Sequence, residues 1–224
     1  MTLSIIVPVL NEAQQLPVLL ERLLSLRQHG CEILIVDGGS NDGSVDLAER
    51  AGFSVLRAAH GRARQMNAGA ARASGEVLLF LHADTQLPEG AMTLVPQALA
   101  SHANCWGRFD VRISGSHPML RVVGRMMNLR SRWTGIATGD QALFVTRAAF
   151  DAVGGFADQP LMEDIEFSRR LRRITRPACI DRCATTSGRR WESRGVWRTI
   201  WLMWRLRWAY WRGVPASQLA QAYQ

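Results

Sequence analysis

The run Glu76-Val77-Leu78-Leu79-Phe80-Leu81 passes straight into His82-Ala83-Asp84-Thr85, and the helix-start pair Pro88-Glu89 follows. A buried strand that stops at a carboxylate puts that acid at the carboxyl edge of an α/β sheet, where ligands collect. Asp84 can cap the turn there. It can also offer a hard oxygen to Mg²⁺ or Mn²⁺ and, through the cation, to phosphate. A second acidic feature, Glu163-Asp164, opens an amphipathic stretch just after Pro160. A helix dipole stabilises acids at that position by about 0.3–1 kcal/mol, which is a sufficient structural reason for them. The chemical alternative is a general base taking a proton from an acceptor hydroxyl. Two more segments suit an anionic ligand. In Val36-Asp37-Gly38-Gly39-Ser40-Asn41-Asp42-Gly43, Asp37 either accepts hydrogen bonds from a nucleoside or shapes an ordinary turn. In Gly61-Arg62-Ala63-Arg64-Gln65-Met66-Asn67-Ala68-Gly69, Arg62 and Arg64 open a helix, as phosphate forks or as solvated charges.

These groups need a scaffold, and the hydrophobic pattern supplies one. Short apolar strands are expected at 3–9, 33–36, 53–57 and 76–81, with helices at 12–28, 44–51 and 62–73 between them. Alternation of this kind implies a parallel sheet with right-handed crossovers. Asn11 is the expected cap of the first helix, and Gly30 and Gly52 are the expected stops. Beyond Asp84 the pattern predicts a helix near 89–101, a strand near 105–113 and an amphipathic stretch at 117–133. A strand near 142–146, a Gly154-Gly155 turn, a helix near 162–174 and a last helical run at about 195–212 complete it. The first βα turn, Val7-Pro8-Val9-Leu10-Asn11-Glu12, has neither G-x-G-x-x-G nor a phosphate-loop lysine, which disfavours dinucleotide and P-loop readings.

With 224 residues, 47% of them hydrophobic, the chain suits one domain with a sizeable core. Its start lacks a basic segment and a small-residue cleavage site, so no signal peptide is expected, and no run has the length of a membrane span. Cys31, Cys105, Cys179 and Cys183 are too scattered for a disulfide framework or a zinc site, and buried thiols in a reducing cytoplasm are expected. All 27 basic residues are arginine, and residues 169–212 carry a net +11 of the total +8, leaving −3 elsewhere.

Taken together, these segments resemble glycosyltransferase family 2, in its short single-domain prokaryotic subgroup. The resemblance rests on Ser4-Ile5-Ile6-Val7-Pro8-Val9-Leu10-Asn11-Glu12, Val36-to-Gly43, Arg62-to-Gly69, His82-Ala83-Asp84, Gly139-Asp140-Gln141, Gly154-Gly155-Phe156 and Glu163-Asp164, in order along most of the chain. It implies an α/β GT-A (Rossmann-like) fold, a mostly parallel central sheet flanked by helices, with an amphipathic C-terminal helix. It implies a GT-A domain over 1–192, with a nucleotide-sugar and metal half to about 103 and an acceptor half over about 104–192. Residues 193–224 are then an Arg/Trp-rich extension. It further implies a nucleotide-diphosphate sugar donor, a hydroxyl acceptor, Mg²⁺ or Mn²⁺ as cofactor, and inversion at the anomeric carbon. On this likeness Asp164 matches the catalytic base, supported by Glu163. Pro8, Asn11, Glu12, Asp37, Arg62, Arg64, Asn67 and Ala83 fall at the donor, and Asp140, Gln141, Arg190 and Trp191 at the acceptor.

Three departures from the family pattern bear on function. The family's metal turn reads Asp-x-Asp, whereas here His82 precedes Asp84. Asp84 matches a metal ligand, and His82 stands as a second ligand, a diphosphate contact or a packing residue. The second-turn acid pair is reduced to Asp37-Gly38, which leaves uridine and guanosine both open. The Gln-x-x-Arg-Trp element of processive members shrinks to Ser187-Gly188-Arg189-Arg190-Trp191, so no polymer synthase is expected.

Trp197, Trp201, Trp204, Trp208 and Trp211 step by four and three along one helix face, flanked by arginines. The stripe either packs inward or meets a bilayer interface, which would suit a lipid-linked acceptor and a cytoplasmic enzyme peripheral at the inner face of the cell membrane. Other function classes fare less well. A nucleotidyltransferase would carry a Gly-rich basic first loop, which Pro8-to-Glu12 is not. Nothing in the first 165 residues serves nucleic-acid binding, so no nucleic-acid partner is expected. A non-catalytic sugar-nucleotide binder would not need both Asp84 and Asp164.

Overall fold

The computed structural model describes residues 1–100 and 103–223. The chain opens with β1 (Leu3–Val9), buried along its whole length, then α1 (Leu16–Gln28) and β2 (Glu32–Asp37). There follow α2 (Ser44–Arg50), β3 (Val55–Arg57), α3 (Arg62–Arg72) and β4 (Val77–Phe80). β1 pairs in parallel with β2 and β4, and β2 with β3, as the alternation predicts. Leu16, Leu19, Leu20 and Leu23 bury one face of α1. Gly30 and Gly52 close α1 and α2 in the left-handed region, at φ +86° and +78°.

The first helix begins at Leu16, not at residue 12, and Asn11 is not its cap. The reason lies in the next loop. The amides of Asn11, Glu12 and Ala13 are taken by Ser40 Oγ, Ser44 Oγ and Asp42 Oδ2, each at 2.9 Å, so this stretch is tied sideways before a helix can start. Asn11 itself sits at φ 54° with its side-chain oxygen on the Asn41 amide.

The second half adds β5 (Thr85–Gln86), α4 (Ala91–Ala100), β6 (Trp106–Ser114), α5 (Met119–Thr134), a 3₁₀ turn (Gly139–Gln141) and β7 (Phe144–Thr146). It continues through α6 (Arg147–Ala152), α7 (Glu163–Leu171), β8 (Ala178–Ser187), α8 (Arg189–Arg194), α9 (Val196–Trp211) and α10 (Ala216–Tyr223). The expected end of α4, Ser101, and the last residue of the extension, Gln224, lie outside the described residues.

Among the described residues, eight strands form one sheet in the order β3-β2-β1-β4-β7-β6-β8-β5. The expectation of a mostly parallel sheet needs correction, because the sheet is mixed. β7 runs antiparallel to both β4 and β6, and β5 antiparallel to β8, while β6 and β8 are parallel. β8 was not foreseen. Its register against β6 slips between Phe109/Ile180 and Asp110/Cys183, so Asp181 and Arg182 bulge to solvent and break the alternation that marks a strand. The four cysteines are free thiols, yet only Cys31 is buried. Cys179 and Cys183 stay half-exposed on β8, where β5 pairs only with Thr185 and Thr186 among the described residues.

One core lies against α1 and α4. The other, on the opposite face, gathers Phe80, Phe150, Phe156 and Phe167. Phe156 stacks on Phe167 at 4.1 Å between centroids, and Phe80 meets Phe156 edge-on at 4.8 Å. This aromatic knot joins the end of β4, four residues before Asp84, to α7, which carries Asp164.

Candidate active site

A cleft of about 360 Å³ opens at the carboxyl ends of β1 and β4. Of the residues singled out in the sequence, it gathers Pro8, Glu12, Arg62, His82, Ala83, Asp84, Asp140, Glu163, Asp164, Arg190 and Trp191. Asn11, Asp37, Arg64, Asn67 and Gln141 do not line it.

Asp84 is held by its backbone. The Thr85 amide closes a turn onto His82 O at 3.0 Å, and the Ser187 amide donates to Asp84 O at 3.1 Å. Its carboxylate takes one hydrogen bond, from the Thr85 hydroxyl at 3.3 Å. Glu12 stands near it. Burial first, and the Asp84 charge second, raise the Glu12 carboxyl above its ordinary pKa against the pull of Arg189, Arg190 and Arg62.

His82 turns to Asp140, with Nδ1 at 3.4 Å from Oδ1. Burial would raise Asp140, but the His82 hydrogen bond and the charges of His82, Arg62 and Arg190 outweigh it and hold the carboxyl below its usual range. The imidazole also lies against Gly139, where an added Cβ would stand 2.2 Å from Cε1 and Nε2. A Gly139→Ala change must therefore push the ring away or distort the turn. The expected cost is about 1–3 kcal/mol. In thermal melts that is a loss of about 2–12 °C.

Asp164 is placed by a strained start to α7. Met162 sits at φ 63°, a left-handed conformation that a side chain seldom adopts outside sites that need it. The turn aims both acids inward. Asp164 Oδ2 accepts the Gly139 amide at 2.9 Å, and Oδ1 accepts the Ile165 amide at 2.7 Å. Burial and the neighbouring Glu163 charge overcome these bonds and the pull of Arg62, and push the Asp164 carboxyl up to about 6. Glu163 is buried and lies 3.6 Å from the half-exposed Arg62 guanidinium. Burial works against the Arg62 charge, but Glu163, Asp140 and Asp164 more than restore it. A carboxylate near neutrality beside a fixed cation has the properties of a general base.

Across the cleft, Glu12, Asp84, Asp140, Glu163 and Asp164 balance Arg62, Arg190, Arg194, Arg198 and Arg207. A diphosphate entering this balanced site calls for added positive charge. Among the described residues no group of three or more His, Cys, Asp or Glu is placed to hold a metal alone. The donor set at Asp84 nonetheless fits Mg²⁺ or Mn²⁺, because such ions are commonly held by one or two carboxylates together with substrate phosphates and water.

The residues outside the cleft have other tasks. Asp37 is buried and accepts the Gly39 and Ser40 amides, fixing its own turn. Arg64 forks onto Asp158 at 2.8 and 2.9 Å on the surface. Asn67 exchanges two hydrogen bonds with the Phe156 backbone, at 2.8 and 2.9 Å. Gln141 is fully buried and completes a capping box with Thr138. Sequence reasoning missed Gln65, which clasps the ends of β1 and β2 by donating to Val9 O and Val36 O at 2.8 Å each. It also missed that α9 roofs the cleft with Arg198, Thr199, Leu202, Met203 and Arg207, and that Tyr223 of α10 bonds Arg190 and Arg194 at its rim. The run Leu202-Met203 opposite the tryptophans was the available signal.

The model of a family described as glycosyl transferase family 2 matches residues 4–157. Among curated relatives, an undecaprenyl-phosphate 4-deoxy-4-formamido-L-arabinose transferase of Pectobacterium atrosepticum is 38% identical over 96 residues, 38% of this chain and 29% of that protein. One of the same description from Yersinia enterocolitica is 30% identical over 150 residues, 61% of this chain and 45% of its own length. The chain thus spans less than half the length of the curated relatives it matches. Among solved structures, S. aureus TarS superposes with a TM-score of 0.67 at 17% identity, covering 84% of this chain and 37% of that one. The mannosyltransferase PcManGT of Pyrobaculum calidifontis, in complex with GDP-Man and Mn²⁺, gives a TM-score of 0.61 at 20% identity, covering 92% and 60%. At such identities the structures speak for the fold.

Proposed function

The chain belongs to glycosyltransferase family 2, and on that premise we propose that it is an inverting, metal-assisted enzyme with Asp164 as general base. As a member of this class it is a glycosyltransferase, and its fold and family support a nucleotide-sugar donor. One observation carries the finer reading. A single cleft is lined both by Asp84, just beyond the carboxyl end of β4, and by Asp164, raised to about 6.

In this reading the acceptor approaches from the α7 side, and Asp164 takes its proton as the new bond forms. The sugar inverts in one displacement and no covalent nucleophile is needed. Arg62 stands ready for the charge that develops on the leaving diphosphate, and Glu163 keeps that guanidinium in place. A divalent cation held by Asp84 would withdraw charge from the same diphosphate. His82 serves through Asp140, whose carboxylate it keeps ionised beside the sugar pocket.

The curated relatives are named as undecaprenyl-phosphate sugar transferases, and the corresponding proposal for this chain is a lipid-linked acceptor that presents a hydroxyl to Asp164. Leu161, Leu202 and Met203 offer an apolar lane at the cleft for such a tail. This reading sets the work in the cytoplasm, at the inner face of the membrane. It is tested by calorimetry with a panel of UDP- and GDP-sugars in Mg²⁺, Mn²⁺ or chelator. One donor should bind preferentially and lose its affinity when the cation is removed. Indifference to every nucleotide sugar would remove the proposal.

A further inference from the structure

We infer that the outward faces of α5 and α9 form one docking surface for an anionic lipid bilayer. On α9, Trp197, Trp201, Trp204, Trp208 and Trp211 are 60–80% exposed. On α5, Val122, Met126, Leu129 and Trp133 make a second exposed row at helical spacing, and Trp133 is 85% exposed. The two helices meet near their first turns, where Val196 and Ile200 of α9 share an apolar cluster with Met119, Leu120, Val123 and Met127 of α5. Six of the eight tryptophans are therefore exposed on these two contacting helices. Buried helices do not expose such rows, and scattered surface residues do not align.

Charge selects the occupant. Neither helix contains an acid, and none occurs from Ser193 to the end of the chain or from Val111 to Gly139. Arg205 and Arg212 lie over the Trp201 and Trp208 rings at 5.0 and 5.2 Å, and Arg121 and Arg125 flank the α5 row. A second copy meeting this face about a two-fold axis would set arginine against arginine. An anionic bilayer would instead take the rings at its headgroup level and the guanidiniums on its phosphates. Among the described residues no helix is long and apolar enough to cross a membrane, so the contact is interfacial. It lays the roof of the cleft on the lipid, since α9 turns Leu202 and Met203 inward from the same segment.

The surface stands apart from the transfer chemistry, so vesicle binding and sugar transfer can succeed or fail separately. The full chain should co-sediment at low salt with phosphatidylcholine vesicles containing phosphatidylglycerol, with a blue shift of tryptophan emission. It should stay in solution with phosphatidylcholine alone. Arg121→Gln, Arg125→Gln and Arg205→Gln should each weaken binding about fivefold. Trp204→Ser with Trp208→Ser should abolish the blue shift while leaving Tm and nucleotide-sugar binding unchanged. The inference is overturned if wild type ignores anionic vesicles or if the double substitution leaves binding intact. It is equally overturned if sedimentation velocity shows a dimer that the tryptophan substitutions dissolve, because a second copy would then be the occupant.

Discussion

Asp164→Asn is expected to lower transfer by about 10²–10⁴-fold while leaving nucleotide-sugar affinity near wild type. The carboxamide keeps the size of the side chain and can still accept one of the two amides that hold it, but it takes no proton. In the wild type, activity should rise with pH through about 6 and then level, because only the ionised carboxyl serves as base. Glu163→Gln removes the neighbouring charge that helps hold Asp164 protonated, so its limb should move to lower pH. Stability runs the other way. A carboxyl raised on folding binds more protons than its unfolded counterpart between about 4 and 6, so its contribution to stability declines as pH climbs through that window. Wild type should therefore lose ground to the Asn variant in paired melts as pH rises, whatever their offset. An acceptor that is already an ionised phosphate would need no base. Near-wild-type turnover in Asp164→Asn would thus reject the base assignment and point to that acceptor.

The second large effect is expected at Asp84. Asp84→Asn should remove metal-dependent donor binding, seen as calorimetric traces that become the same with Mn²⁺ and with chelator. Transfer should fall by at least about 10²-fold, as when a charge-stabilising group is lost from a preorganised site. Stability should barely change, since the carboxylate has one long hydrogen bond to lose, the 3.3 Å contact with Thr85. Glu12 gives an internal check. With the Asp84 charge gone its carboxyl should drop toward the ordinary range, a shift that NMR titration can follow. Unchanged cation dependence would move the metal away from Asp84.

The parts legible in advance were those encoded locally. β1, β2 and β4 announce themselves by short apolar runs, and α7 by two acids following a proline. What stayed hidden was decided far along the chain. Arg64 looks like a phosphate fork until Asp158, 94 residues away, claims it. Asn67 is bound by Phe156 at a separation of 89. β8 carries a bulge that erases its alternation, and its partner β6 lies some seventy residues back. The roof of the cleft left one local trace, the apolar pair Leu202-Met203 opposite the tryptophans, which does not say what it covers.

The crossing of His82-Ala83-Asp84 has a temporal consequence. The chain leaves β4 in mid-sheet and runs to the far edge, where Thr85 bonds Thr186 across 101 residues at 3.1 Å and the Ser187 amide fixes Asp84 O. On the ribosome, at about 5–20 residues per second, those partners follow Asp84 by about 5–20 s. During that interval the nascent parallel strands can assemble, but the turn bearing Asp84 lacks these two distant ties. Synthesis that stalls before Ser187 would therefore leave Asp84 without its cross-sheet ties and the cleft without its roof.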